Sequence, residues 1–96
     1  MKKIFKFPIE HTPKQYLVMP KGAEILSVQV QNNSPFLYAM VNPNQTEKEE
    51  RVFRIYATGT SINDDMGFDV KYIGTFIIND PQHPTGTFVG HLFEQL

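Results

Sequence analysis

Ala23-Glu24-Ile25-Leu26-Ser27-Val28-Gln29-Val30-Gln31 is the stretch from which the fold is read. Leu26, Val28 and Val30 alternate with Ser27, Gln29 and Gln31, the period of two expected of a strand with one buried and one wet face. Downstream, Asn32-Asn33-Ser34-Pro35 is a short connection to Phe36–Val41, which predicts a hairpin. Upstream, Pro20-Lys21-Gly22 places glycine where a type II turn needs positive φ, closing a short strand over Gln15–Met19. Before it, Phe5, Phe7 and Ile9 share a face of a strand over Lys2–Glu10. Pro8 assigns that strand to a sheet edge, because proline cannot donate to a ladder.

Beyond the hairpin, Asn42–Glu50 is polar, holds Pro43 and four charges, and reads as the longest exposed loop. Arg51–Ile62 follows as a long strand, with Phe53, Ile55 and Ala57 on one face and Val52, Arg54, Tyr56, Thr58 and Thr60 on the other. Asn63-Asp64-Asp65-Met66-Gly67 reads as a turn. Phe68–Ile78 and Thr87–Glu94 supply the last strands around an Asn79–Gly86 loop. Seven short strands with turn signals between them, and no helical spacing of apolar residues, predict a single all-β domain over residues 1–96. Its architecture is a compact antiparallel sandwich or a small barrel. Phe5, Phe7, Phe53, Phe68, Phe76 and Phe88 are the expected aromatic core.

Composition limits the function classes. The chain has 96 residues, nine Lys+Arg, ten Asp+Glu and no Cys. A formal charge of −1 lacks the basic footprint of a protein that grips bulk nucleic acid. Without cysteine there is no thiolate nucleophile, disulfide or cysteine metal site. No apolar run reaches membrane-spanning length and the first residues hold no signal-peptide core, so a cytoplasmic protein is expected.

Catalytic signatures are missing as well. There is no Gly-x-Ser-x-Gly elbow and no phosphate-cradling glycine loop, and His11, His83 and His91 are dispersed, so neither metal nor cofactor is expected. Asp64-Asp65 and the Glu47, Glu49-Glu50 group lack the alternating oxygen ligands of a calcium loop and read as solvated turns. His91, between Val89 and Phe93, is the histidine expected to be half-buried and hydrogen-bonded.

What remains is a face. Arg54, Tyr56, Thr58 and Thr60 alternate on one strand, and Tyr38 would join them if Phe36–Val41 lay alongside. A guanidinium fork, tyrosine rings and hydroxyls suit one small anionic ligand, with Gly59 allowing close backbone approach. The plainer reading is a solvated sheet face, since strands favour Tyr and Thr in any case.

The blocks Lys3-Ile4-Phe5-Lys6-Phe7-Pro8-Ile9, Met19-Pro20-Lys21-Gly22-Ala23-Glu24-Ile25-Leu26-Ser27-Val28-Gln29, Phe53-Arg54-Ile55-Tyr56-Ala57-Thr58-Gly59 and Tyr72-Ile73-Gly74-Thr75-Phe76 resemble a family of small proteins of phages and their bacterial hosts. The resemblance runs along nearly the whole chain in the same order. It carries no reaction and no catalytic residue. By analogy of context it implies a non-enzymatic protein that blocks host defence, by sequestering a nucleotide-derived signal within a homo-oligomer or by covering a defence protein. The sequence therefore leads to a ligand-capturing binding protein using Arg54, Tyr56, Thr58, Gly59, Thr60 and Tyr38. The alternative is a protein–protein module acting through a strand edge or aromatic patch. A third reading is an enzyme built on dispersed residues such as His91 and Asp69.

Overall fold

The computed structural model describes residues 1–63 and 67–96. Asp64, Asp65 and Met66, and with them the turn and the acidic pair expected there, lie outside the described residues. Seven strands run in order: β1 (Lys3–Pro8), β2 (Lys14–Pro20), β3 (Glu24–Gln31), β4 (Ser34–Val41), β5 (Lys48–Ala57), β6 (Val70–Asn79) and β7 (Thr87–Gln95). They form two antiparallel sheets, β1-β4-β3 and β2-β5-β7-β6, in a sandwich-like arrangement.

Each sheet turns one face inward. Leu37, Ala39 and Val41 of β4 meet Phe53 and Ile55 of β5, Phe76 and Ile78 of β6, and Phe88 and Leu92 of β7 in a single apolar core. Alternation on β7 is complete: Phe88, Gly90, Leu92 and Glu94 are buried, whereas Thr87, Val89, His91, Phe93 and Gln95 are half-exposed. Gly90 lies opposite Phe76 in the ladder. A Cβ there would come 2.5 Å from the Phe76 ring and 2.8 Å from Phe88, so glycine is what lets both rings lie over the strand.

Turn chemistry follows the local sequence. Ala23 N–H donates to the Pro20 carbonyl at 3.1 Å, with Gly22 at φ 82°, giving the expected type II turn. Asn32 and Asn33 have φ of 50° and 62°, the signature of a two-residue I′ hairpin, with Gln31 paired to Ser34. Pro35 accordingly belongs to β4 and not to the connection. β1 is an edge strand, as Pro8 requires.

Several expectations are corrected. The alternation of Leu26, Val28 and Val30 is broken by a bulge between Ile25 and Ser27, so Ile25 and Val28 face the core while Leu26 is exposed; Val30 keeps the register of Val28 but is exposed near the hairpin end of the strand. A bulge inserts one residue and flips every side chain before it. β5 begins at Lys48 and ends at Ala57, which shortens both the polar loop and the long strand expected over Arg51–Ile62. Phe5 is 39% exposed and Phe68 half-buried, because β1 lies at an edge and Phe68 precedes β6.

The sheets are stitched where β3 approaches β6. An ideal Cβ on Gly74 would come 2.9 Å from the Val28 side chain. The Asn33 carboxamide takes both backbone groups of Asn79: its Nδ2 donates to the Asn79 carbonyl at 2.9 Å, and Asn79 N–H donates to Oδ1 at 2.7 Å. Deeper in, Arg51 of β5 is forked onto Glu94 of β7. Nη2 donates to Oε1 at 2.8 Å, Nε donates to Oε2, and Nη1 donates to the Ala23 carbonyl. The Glu94 hydrogen bond raises the Arg51 pKa above its ordinary value against the opposing cost of burial, with the Glu94 and Glu49 charges adding to the rise.

Candidate functional site

β5 and β7 position the candidate residues, since their register sets Arg54 beside Phe93 and Tyr56 beside His91 on the outer face of the four-stranded sheet. Arg54 is held on two sides. Its Nε donates to Gln95 Oε1 at 3.0 Å, and its Cζ lies 4.6 Å over the Phe68 ring. Both partners draw the guanidinium toward the start of β5, where Gln95 pairs with Val52, and the two contacts restrict its freedom there. Tyr56 meets Phe93 edge-on at 5.6 Å, and Tyr72 packs on the same ring at 5.3 Å.

Beyond Ala57 the chain leaves β5. Thr60 N–H donates to the Ala57 carbonyl at 3.1 Å, and Gly59, at φ 87°, takes the left-handed position of that turn. Thr60 therefore does not continue the alternation of Arg54, Tyr56 and Thr58, but the turn folds it back toward them. It lines a cleft of about 310 Å³ with Arg54, Ile55, Tyr56, Ala57, His11, Thr12, Pro13 and Phe88. The loop before β2 is drawn in by the Ile55 N–H bond to the Pro13 carbonyl at 3.1 Å. His11 then lies on Phe88, ring centroids 3.7 Å apart. A second cleft of about 250 Å³ adjoins at Ala57 and Phe88 and is lined by Thr58, His83, Thr85, Thr87 and Val89.

Thr58 also joins a polar relay. Its hydroxyl is 2.8 Å from His91 Nε2, His91 Nδ1 is 2.9 Å from Thr75 Oγ1, and Thr75 Oγ1 is 2.7 Å from the Tyr72 hydroxyl. Both nitrogens of the half-buried His91 are thus engaged by threonines. One donates and the other accepts while the ring is neutral.

Arg54, Tyr56 and Thr60 come together in the first cleft, and Thr58 lines the second with Gly59 next to it in the turn. Tyr38 is not brought here: β4 pairs with β1 and β3, which sets Tyr38 between Lys6 and Ser27 on the other sheet. His11 and Phe88 are the aromatic lining residues that sequence reading missed, with Thr12, Pro13, Ile55 and Ala57 beside them. Phe88 carries an inward core signal, and His11 reaches the site only through the Pro13–Ile55 bond, which no local spacing announces. Among the described residues no group of three or more His, Cys, Asp or Glu is placed to hold a metal ion, and no helix is long and apolar enough to cross a membrane.

Residues 1–96 match a domain of unknown function, DUF7352. The chain belongs to the DUF7352 family. No curated protein and no solved structure matches it.

Proposed function

We propose that this DUF7352 protein is a non-enzymatic binding protein that captures a small anionic ligand of nucleotide type in the cleft between the loop before β2 and the end of β5. The observation that carries the reading is that Arg54, Tyr56 and Thr60 line one cleft of about 310 Å³ with the close, tilted His11–Phe88 pair. Arg54 exchanges its Gln95 bond for the phosphate or carboxylate, the aromatic wall takes a flat ring, and the Thr60 hydroxyl bonds to the ligand's polar edge. The volume is near the small end of the roughly 300–1,000 Å³ of ligand sites, which fits one mononucleotide-sized group. The biological setting proposed is inhibition of host defence by a phage-type protein in the cytoplasm, through sequestration of a nucleotide signal. The sequence resemblance and the small β fold support that setting.

The test is native mass spectrometry of the protein mixed with cyclic and linear nucleotides, followed by denaturation to release what is bound. The expected result is one intact nucleotide in fixed ratio to the chain, with capture weakened at least about tenfold in a folded Arg54→Ala variant. Wild-type capture by that variant refutes the site, and no capture from any nucleotide refutes the ligand class.

A second reading, a protein–protein inhibitor or assembly module, is favoured by a different observation. The outer face of the four-stranded sheet exposes Tyr16, Val18, Tyr72 and Ile77 around Tyr56 and Phe93. A stable complex with a host protein, formed by a nucleotide-free chain, would select it.

A further inference from the structure

The free edge of β2 differs from the other three sheet edges. β3 is bulged and β6 has an irregularity between Tyr72 and Gly74, and these two edges approach each other at Val28 and Gly74. β1 carries Lys3 and Lys6 with no acid, so pairing it with itself would gather like charge. β2 runs from Lys14 to Pro20 in unbroken register with β5.

Its polar groups have a definite direction. Ile55 N–H donates to the Pro13 carbonyl and Lys21 N–H to the Glu47 carbonyl, both in the register of that ladder. Antiparallel hydrogen bonding alternates along a strand, so Gln15, Leu17 and Met19 point their backbone groups at β5. Lys14, Tyr16 and Val18 point theirs outward. The next outward-facing position is Pro20, which has no N–H to leave open. At this edge the side chains are open too, Tyr16 at 52% and Val18 at 61% exposure.

The charges behind the edge are arranged in rows. Lys14 is beside Arg54, Tyr16 beside Val52, and Val18 beside Glu50. The order basic, apolar, acidic is complementary to itself when turned about the Tyr16 row.

We infer that β2 is the pairing edge for a second copy of this chain, the two β2 strands running antiparallel about a two-fold axis at Tyr16. Tyr16 faces Tyr16 of the second copy, and Lys14 faces its Val18, with Glu50 one strand further on within reach of the lysine chain. The Lys14 carbonyl already accepts from its own Thr12 hydroxyl at 3.3 Å, so with its second lone pair or in exchange for that bond roughly six backbone hydrogen bonds close across the axis, and a single sheet spans both copies. The inference uses none of the cleft residues except the Arg54 charge, and it stands or falls apart from ligand capture.

The test is sedimentation of the intact chain from micromolar to near-millimolar concentration, with Val18→Lys and Val18→Glu alongside. In the single chain Val18→Lys sets a lysine beside Glu50 on an exposed position, so the fold holds, as circular dichroism checks. In the pair it sets lysine opposite Lys14 twice. The expected result is a wild-type dimer, association weakened roughly tenfold or more in Val18→Lys, and Val18→Glu at least as associated as wild type. A wild-type monomer throughout the range overturns the inference. So does a dimer that both variants leave unchanged or weaken equally.

Discussion

Neutralising Glu94 would leave the Arg51 guanidinium facing the Ala23 carbonyl and the Glu49 carboxylate 3.6 Å away, with its forked partner gone. Glu94 is 6% exposed, so water cannot make up the loss. Removing one member of a buried pair strands the other charge, and Glu94→Gln is expected to cost about 3 kcal/mol in urea unfolding. That figure is at the low end because the Arg51 side chain keeps 18% exposure. Replacing both residues with leucine removes the charges together and is expected to cost much less than the single change. A raised arginine pKa means that the contribution of Arg51 is fully present below its unfolded value and is lost only as pH rises through the still higher folded one. Titration of Arg51 therefore leaves stability unchanged between about pH 6 and pH 9, and only a strongly alkaline series reaches the loss. At Gly90 the constraint is steric. Gly90→Ala drives a methyl group into the Phe76 and Phe88 rings and is expected to cost about 1–3 kcal/mol in the same assay.

The β3–β4 hairpin does two jobs, and its substitutions separate them. Asn33→Gly keeps the left-handed turn but removes the carboxamide that pairs with Asn79, so a loss of about 1 kcal/mol is expected, with faster amide exchange at Asn79. Asn33→Ala loses the same bonds and strains φ 62° as well, adding about 1 kcal/mol more. Equal stability for the two variants would mean that the turn conformation contributes nothing. Such elements mark the limit of what a sequence discloses. Period-two runs, Pro8 and the Pro20-Lys21-Gly22 turn are local signals, and strand number, the edge position of β1 and the type II turn follow from them. The bulge in β3 has no local signal, because Ile25 and Leu26 are equally apolar and only pairing with Ala39 and Tyr38 decides which turns inward. Nor does a strand announce its neighbours. β4 reads as a strand from its own residues, yet its placement beside β1 and β3 is what removes Tyr38 from the Arg54 face.

On the scale of the molecule, the cleft was half legible. Arg54, Tyr56 and Thr60 stand close together in the chain, whereas His11 and Phe88 arrive from opposite ends of it and meet only when β2, β5 and β7 pair. Stability is distributed just as unevenly. β5 and β7 are interior strands, each paired on both sides and holding Phe53, Ile55, Phe88 and Leu92 in the core. β1 has one partner, β4, and all its side chains from Lys3 to Lys6 are exposed, with Phe7 half-buried as its main anchor. Its burial is too slight to tie it to global unfolding, so it should open on its own while the β4–β3 hairpin and the four-stranded sheet stay closed. Amide exchange followed by NMR is expected to show β1 exchanging at least about 100-fold faster than the centres of β5 and β7. Phe7→Ala, which removes the anchor, should widen that gap and leave β7 protection nearly unchanged. Equal protection of β1 and β7, or a parallel fall in both after Phe7→Ala, would instead make the edge strand part of one cooperative unit, and the sandwich would then unfold as a whole.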